Sequence, residues 1–379
     1  MDSTEAFPDL SLEALFQPFR CGSLHLPNRL AMSPMTREFS PDNILSAEAP
    51  AYYARRAAGG LGLIVSEGTA VPHPVAHHSA RIPGFYGASL PIWRQTADAV
   101  HAAGGALFAQ LWHVGLYRDP ATSPKPELPS IAPSVVGKAP VRAMTESDIA
   151  DVIDAFATAA AAAREAGLDG IEIHGAHGYL PDQFFWPHFN RRTDAYGGPI
   201  ENRVRFTVEL VAEIRRRTAP DFPIMLRFSQ WKATEYTAKV AETPAELEQW
   251  LVPLAEAGVD IFDASTRRFW LPEFAGSDLN LAGWAKKVTG KASMTVGSVG
   301  LESPLEVTKM GDMTASQVSI DNLRPLIRMV ERAEIDLVAL GRIILTNPDW
   351  PHLVRYGRFS EIHAYNPKAV VERLECAAC

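Results

Sequence analysis

The sequence predicts a closed (β/α)8 TIM barrel in the α/β class, preceded by a short N-terminal hairpin that caps it. Eight short apolar runs alternate strictly with eight helical patterns along the 379 residues. The runs lack the polar–apolar alternation of a sheet with one solvated face, which indicates a parallel sheet covered on both faces. Because a barrel can absorb this length as one domain, we expect a single domain over 1–379, with its core at about 15–358 and flexible ends.

Apolar runs and turn residues place the strands in chain order. Alternating residues at 19–27 predict the hairpin, and Pro34 ends regular pairing after the first barrel strand. The proline-rich stretch 120–140 is expected to lack regular structure and to cross one face of the barrel. We predict the eight barrel strands at 30–37, 61–66, 106–111, 170–174, 223–228, 259–264, 293–296 and 337–340.

Capping and breaking residues place the helices between these strands. Gly59 and Gly60 end the first helix, since glycine readily adopts the left-handed conformation. Thr145 and Asp148 form an N-capping pair that opens an alanine-rich helix, and Pro244 lies in a first turn, where its missing N–H does no harm. We predict helices at 48–58, 90–103, 145–166, 201–217, 243–257, 279–288, 322–332 and 349–356.

Charge and cysteine content restrict the compartment and the partners. The formal net charge is −8 and the pI is about 5.8, which argues against a nucleic-acid or membrane-surface partner because either requires a basic face. Cys21, Cys376 and Cys379 are too few for a disulfide framework. No apolar run is long enough to span a membrane, and residues 1–16 do not resemble a signal peptide. We therefore expect a cytoplasmic protein.

Residues with functional side chains or special backbone freedom follow the predicted strands. In a barrel, the loops after the strands carry the active site. Each residue taken singly also has an ordinary structural interpretation, but together they follow different strands of one barrel. The candidates are Thr36, Gly68, Gln110, Trp112, His174, His177, Tyr179, Arg227, Gly297, Ser298, Gly341 and Arg342.

These residues leave several chemistries open. The glycines and Arg342 after the seventh and eighth strands predict a phosphate site. His174 and His177 have the spacing of metal ligands, but no clear third ligand follows another strand, so we expect no metal. Glu67 and Asp263 follow strands and provide the two carboxylates that a glycoside hydrolase requires.

Several motifs resemble the Old Yellow Enzyme family of FMN-dependent ene-reductases. The resemblance covers about 15–358 in the right order, and its central motif begins at His174. The matching segments are Asn28-Arg29-Leu30, Pro34-Met35-Thr36-Arg37, Glu67-Gly68-Thr69, Gln110-Leu111-Trp112-His113, His174-Gly175-Ala176-His177-Gly178-Tyr179-Leu180, Asn190-Arg191-Arg192-Thr193-Asp194, Glu201-Asn202-Arg203, Gly341-Arg342 and Asn347-Pro348-Asp349.

The resemblance implies tightly bound FMN across the C-terminal mouth of the barrel, with NADH or NADPH as the hydride donor. Thr36 is then expected to donate to the flavin O4, and Arg227 to lie near N1, where reduced flavin carries negative charge. No separate dinucleotide-binding domain is expected. The residues that the resemblance assigns to FMN are Pro34, Met35, Thr36, Gly68, Gln110, Arg227, Gly297, Ser298, Gly341 and Arg342.

The same resemblance implies reduction of the activated C=C bond of an enone, enal or nitroalkene. His174 and His177 are expected to bind the carbonyl or nitro oxygen and stabilise the enolate, beside Trp112. Hydride passes from the flavin N5 to the β-carbon, and Tyr179 protonates the α-carbon. A flavin-dependent NAD(P)H oxidase or dehydrogenase, and a barrel retained only for binding, are alternatives. We expect a monomer or a homodimer.

Three departures from the family pattern concern the mouth of the barrel. Leu116 stands where many relatives have arginine. The segments 229–242 and 301–319 look longer than usual, and we expect both to shape the substrate entrance. Larger relatives carry an iron–sulfur cluster and further domains, and we expect neither here.

Overall fold

The computed structural model describes residues 11–137, 140–304, 315–367 and Leu374. Its strands are β1 (Phe19–Cys21), β2 (Leu24–Leu26), β3 (Leu30–Met32), β4 (Leu63–Ala70), β5 (Ala106–Trp112), β6 (Ser130–Ala132), β7 (Val141–Ala143), β8 (Gly170–His177), β9 (Ile224–Lys232), β10 (Ile261–Ser265), β11 (Ala292–Val296) and β12 (Leu337–Leu340). Its α-helices are α1 (Ala49–Ala58), α2 (Leu90–Ala102), α3 (Glu146–Glu165), α4 (Leu180–Phe185), α5 (Ile200–Arg203), α6 (Arg205–Arg217), α7 (Pro244–Ala257), α8 (Leu281–Thr289), α9 (Leu323–Glu331), α10 (Ile343–Thr346) and α11 (Trp350–Arg355).

Eight of these strands form a closed parallel barrel in chain order: β3, β4, β5, β8, β9, β10, β11 and β12. The barrel closes between its last and first strands, where Ala339 pairs with Ala31 and Leu340 with Met32. Since at least one helix follows each strand, the predicted (β/α)8 fold is confirmed. All eight carboxyl ends therefore open at the same mouth.

The hairpin closes the opposite end of the barrel. β1 and β2 are antiparallel, and Phe19, Leu24 and Leu26 pack into the interior cluster that includes Leu63 and Phe108. Each such apolar side chain contributes about 1.5–3 kcal/mol when it is fully buried. The predicted hairpin cap is therefore confirmed, and its apolar residues close the barrel below the site.

The local signals for helix α3 are also confirmed. The Thr145 hydroxyl accepts a hydrogen bond from the Asp148 N–H, and the Asp148 carboxylate accepts one from the Thr145 N–H at 2.7 Å. This reciprocal capping satisfies two donors that the first turn leaves free. The helix predicted at 201–217 is divided at Val204 into α5 and α6.

One expectation about regular structure is wrong. Within the stretch 120–140, β6 forms a two-stranded parallel sheet with β7, pairing Ser130 with Val141 and Ala132 with Ala143. The prolines flank this short pairing and do not interrupt it. The buried Arg118 holds the preceding loop by donating to the carbonyls of Pro124, Lys125 and Leu128.

Three barrel strands are longer than their apolar runs. β4, β8 and β9 continue into the polar residues that the sequence placed after the strands. Register irregularities occur between Val65 and Gly68 and between Gly175 and His177, and such bulges redirect side chains. Among the predicted residues, Gly68, Gln110, Trp112, His174, His177 and Arg227 are therefore held by strand pairing.

Some sequence features lie outside the described residues, namely Cys376, Cys379 and 305–314 of the longer segment 301–319. Within the described ranges, no helix is long and apolar enough to cross a membrane.

Candidate active site

A cavity of about 320 Å³ opens at the carboxyl ends of the strands. It receives residues from the ends of β3, β9, β10, β11 and β12 and from the turn after β8. Among the predicted residues, its walls contain Pro34, Met35, His177, Arg227, Gly297, Ser298, Gly341 and Arg342.

The other predicted residues border this cavity or lie behind its wall. His174, which is 4% exposed, contacts the His177 ring with centroids 5.2 Å apart. Tyr179 lies 4.4 Å from the His174 ring and stacks on Trp112 at 4.9 Å. The structure therefore joins the two histidines, the tyrosine and the tryptophan into one aromatic cluster.

The cluster rests on an unusual turn at the end of β8. His177 has φ of +62° and Gly178 has φ of +89°, a region that a residue with a Cβ rarely adopts. A Cβ at Gly178 would also lie 2.2 Å from the Tyr117 hydroxyl. This backbone brings the His177 ring against Trp231, with centroids 4.2 Å apart, and it gives the two histidines different orientations.

Both histidines are held neutral. Burial lowers the pKa of His174 well below its ordinary value, and the positive charge of Arg227 lowers it further. Burial and Arg227 act in the same way on the pKa of His177. The His177 Nε2 lies 2.7 Å from the Ser265 hydroxyl, whereas the buried His174 Nδ1 has no hydrogen-bond partner in the described structure. A neutral imidazole retains one N–H donor.

Tyr179 is held as a neutral phenol. Burial raises its pKa above the ordinary value, and nearby Tyr117 and Glu38 raise it further. The side chain is at the N-cap position of α4. A phenol that keeps its proton beside two neutral imidazoles is suited to proton donation.

Arg227 and two carboxyl groups lie together inside the barrel below this cluster. The Arg227 Nε is 3.4 Å from Asp263 Oδ2, and Gln110 donates to Glu172 Oε1 at 2.7 Å. Burial, and then the neighbouring Asp263, raises the pKa of Glu172 well above its ordinary value. Because a single guanidinium cannot neutralise two buried carboxylates, Glu172 is protonated and Asp263 is the partner of Arg227.

The other end of the cavity has the features of a phosphate site. Arg342 donates from Nη2 to the Ser303 carbonyl at 2.6 Å, while its buried Nη1 has no hydrogen-bond partner among the described residues. Gly297 has φ of +142°, and a Cβ there would lie 2.7 Å from the Thr266 carbonyl oxygen. Burial and then the nearby Arg267 lower the pKa of Arg342. An unpartnered buried donor beside a second guanidinium fits a phosphate group.

Three residues that were predicted to contact the flavin do not line the cavity. Thr36 is exposed and does not line the cavity. Gln110 is buried, and its amide nitrogen is already engaged by Glu172. Gly68 faces the indole of Trp112, because a Cβ there would lie 2.5 Å from that ring. Gly68 therefore gives Trp112 room to lie behind the cluster.

Sequence inspection missed other residues of the cavity wall. Arg227 donates to the hydroxyls of Ser33 and Ser265, each at 3.2 Å, and serine is too common at strand ends to attract notice. Arg267 lies 3.8 Å from the centroid of the Tyr236 ring and lines the cavity. Its position directly after the sixth barrel strand was the signal that could have identified it. Trp231 belongs to the segment expected to shape the entrance, and it does line the cavity.

Comparison with known proteins identifies the family. A model of the NADH:flavin oxidoreductase / NADH oxidase family matches residues 14–361. The chain belongs to this family. NADPH dehydrogenase of Halalkalibacterium halodurans is 33% identical over 359 residues, covering 89% of this chain and 92% of the relative. The structure of morphinone reductase in complex with tetrahydroNAD has a TM-score of 0.77 and 28% identity, covering 93% of each chain.

These relatives place the chain in the Old Yellow Enzyme family, as the motifs predicted. The NADH oxidase of Thermoanaerobacter brockii is 32% identical over 366 residues, which cover 92% of this chain but only 52% of that relative. The chain thus spans about half the length of that oxidase. The protein is an FMN-dependent oxidoreductase that uses NAD(P)H, and this replaces the hydrolase alternative built on Glu67 and Asp263.

The polar residues of the cavity are suited to an organic cofactor. Among the described residues, no group of three or more histidine, cysteine or acidic side chains is arranged to hold a metal ion. Arg342 Nη1, which has no hydrogen-bond partner among the described residues, lines the cavity together with Gly297 and Arg227, and these groups fit an anionic cofactor with a polar ring. These residues are therefore the candidates to hold FMN.

Proposed function

We propose that this enzyme is an ene-reductase, which reduces the activated C=C bond of α,β-unsaturated carbonyl or nitro compounds with NAD(P)H. The observation that carries the proposal is the cluster at the end of β8. There two neutral imidazoles, His174 and His177, lie in ring contact beside the protonated phenol of Tyr179. An oxygen-binding pair and a proton donor are the groups that this reduction requires from the protein.

The two histidines bind the substrate oxygen. Each neutral imidazole offers one N–H, and donors on that oxygen stabilise the negative charge that develops as the C=C bond is reduced. The unpartnered Nδ1 of His174 and the hydrogen bond between His177 and Ser265 support this role. Trp231, stacked on His177, restricts the orientation of that ring.

Tyr179 gives its proton to the α-carbon. Its raised pKa keeps the hydroxyl protonated at neutral pH, and its stacking on Trp112 fixes the plane of the ring. The proton adds to the α-carbon while a hydride adds to the β-carbon, so both hydrogens of the saturated product are accounted for. When bound, FMN supplies the redox chemistry by exchanging a hydride with NAD(P)H and with the substrate.

The cavity residues would hold the cofactor. Arg342 and the backbone at Gly297 and Ser298 would bind the phosphate, and Arg267 would add a second positive charge. Arg227, which is paired with Asp263, would stabilise negative charge on the reduced flavin ring. This assignment supports FMN as the resident cofactor.

Anaerobic stopped-flow measurements test the activity. The enzyme is reduced by NADH or NADPH and then mixed with a cyclic enone, a maleimide, a nitroalkene or aerated buffer. We expect faster reoxidation by at least one alkene than by oxygen at equal concentration. The product formed in D2O should be saturated and carry one solvent deuterium at the α-carbon. Reoxidation by oxygen alone would instead indicate an NAD(P)H oxidase and refute the proposal.

A further inference from the structure

A buried ion pair lies behind the turn that carries the proposed proton donor. The Lys232 Nζ donates to Asp182 Oδ1 at 2.7 Å and to the Ser229 carbonyl at 3.0 Å. Both charged side chains have no solvent exposure. Neither residue lines the candidate cavity, and the proposed reaction uses neither.

The carboxylate of this pair reaches the turn directly. Asp182 Oδ2 accepts a hydrogen bond from the Gly178 N–H at 2.6 Å. Gly178 lies between His177 and Tyr179, and both it and His177 have positive φ. A residue with a Cβ adopts this conformation only where surrounding contacts impose it. The hydrogen bond to Asp182 is one such contact.

The lysine joins the same turn to the end of β9. Lys232 is the strand-register partner of His177. Two neighbours of Lys232 are also bonded to this histidine. The Ser229 hydroxyl accepts the His177 N–H at 2.9 Å, and the Ala233 N–H donates to the His177 carbonyl at 3.1 Å. Trp231, next to Lys232, stacks on the His177 ring. The pair therefore connects β9 to the turn at His177 and Gly178.

Stability alone is a poor explanation for such a pair. A buried ion pair loses about as much in desolvation as it gains in attraction, and apolar replacements are often as stable. A carboxylate that must accept an N–H in this buried place does, however, require a cation next to it. Lys232 meets that requirement.

We propose that Lys232 and Asp182 are positioning residues that hold the turn at 177–179, so that His177 and Tyr179 face the substrate together. This inference deepens the proposed function and rests on it for the role of Tyr179. Lys232 keeps Asp182 ionised, and ionised Asp182 fixes the Gly178 N–H and thereby the direction of the Tyr179 side chain. The turn otherwise has access to other conformations, since glycine at its centre restricts it little.

Hydrogen exchange tests the positioning without any catalytic reaction. In Lys232→Met, the buried carboxylate loses its cation and takes up a proton, because burial already raises the pKa of Asp182 to about 6 with the lysine present. We expect amide exchange in the peptide 176–184 to accelerate about tenfold or more. The matched control is Lys286→Met, because Asp336 bridges Lys286 at 2.8 Å and a backbone N–H at 3.0 Å near the other end of the barrel. The control should leave 176–184 unchanged.

Half-reaction kinetics test the consequence for the chemistry. We expect Lys232→Met to slow the oxidative half-reaction with an enone by roughly ten- to a hundredfold, the order expected for a misplacement near 1 Å. Reduction by NAD(P)H should change by less than about threefold, because it does not need the proton of Tyr179. Asp182→Leu, which removes the acceptor of the Gly178 N–H, should reproduce the defect, and Lys286→Met should not.

The double variant Lys232→Met/Asp182→Leu separates positioning from stability. It leaves no unpaired buried charge, so its thermal unfolding should return toward that of the wild type while the oxidative half-reaction stays slow. It also carries the test if a single variant fails to fold. Recovery of wild-type exchange and kinetics in the double variant, or wild-type exchange in Lys232→Met, would overturn the inference. Failure of the wild type to reduce any alkene would refute the proposed function, but exchange at 176–184 would still report on the turn.

Discussion

Replacing Arg342 by methionine should weaken FMN binding through the phosphate alone. The Arg342 Nη1 is buried and has no hydrogen-bond partner within the described ranges, and Arg342 lines the cavity with Gly297 and Ser298. A hydrogen bond to a charged partner contributes about 1.5–3 kcal/mol. Losing one such bond should raise the dissociation constant of FMN roughly 10- to 150-fold, since each 1.4 kcal/mol is a factor of ten.

The assay is a titration of the apoprotein with FMN and, separately, with riboflavin, followed by flavin fluorescence. Riboflavin has the same ring and ribityl chain but no phosphate, so its affinity should be equal in the wild type and Arg342→Met. The control variant Arg332→Met removes an exposed arginine whose only recorded ion pair in the described structure is with Glu334 at 3.7 Å, and it should change neither affinity. An equal loss of affinity for both flavins would show that Arg342 supports the fold and not the phosphate.

Three further predictions concern the aromatic cluster and one buried acid. The double variant His174→Ala/His177→Ala should weaken enone binding, measured by flavin absorbance, roughly ten- to a hundredfold, because two hydrogen-bond donors of about 1 kcal/mol or more each are lost; FMN binding should persist, and unchanged enone affinity would contradict the oxygen-binding role. Tyr179→Phe should slow the oxidative half-reaction in stopped-flow experiments while reduction by NAD(P)H continues at the wild-type rate. The opposite pattern would contradict its role as proton donor. Burial raises the pKa of Glu67 from 4.5 to about 7. The folded state therefore binds this proton more tightly than the unfolded chain, and its contribution to stability is lost as pH rises from about 4.5 to 7. Urea unfolding should show that Glu67→Gln gains on the order of 3 kcal/mol relative to the wild type across that interval. If the difference in unfolding free energy between Glu67→Gln and the wild type stayed constant over this pH range, the raised pKa of Glu67 would be refuted.

The pattern of apolar runs and helices along the chain was sufficient to predict the architecture. Strict alternation of apolar runs and helices predicted the closed barrel, because a parallel strand buried on both faces must be apolar throughout. Local chemistry also fixed individual helix ends, as the capping pair Thr145 and Asp148 shows. The stretch 120–140 was misjudged, because a short parallel pairing between Ser130 and Val141 depends on backbone partners that no residue pattern reveals.

The sequence also supplied the identities of the candidate site residues, since barrel topology brings all strand ends to one mouth. The sequence did not show which polar atoms form hydrogen bonds within the folded protein. Gln110 is engaged by Glu172, and Arg342 keeps one donor free. Such differences depend on neighbours that are distant in the chain and become adjacent only when the barrel closes.

The motif at the end of β8 illustrates both contributions. The spacing of His174, His177 and Tyr179, with glycine among them, was visible in the sequence and indicated the family. The contacts that support this turn could not be predicted from the sequence, because Lys232 is 50 residues from Asp182 in the chain. Only the closed barrel, in which β8 and β9 are neighbours, brings these two charges together in a place with no solvent exposure. Desolvation makes each of them costly alone, and the tertiary structure therefore decided that they act as a pair.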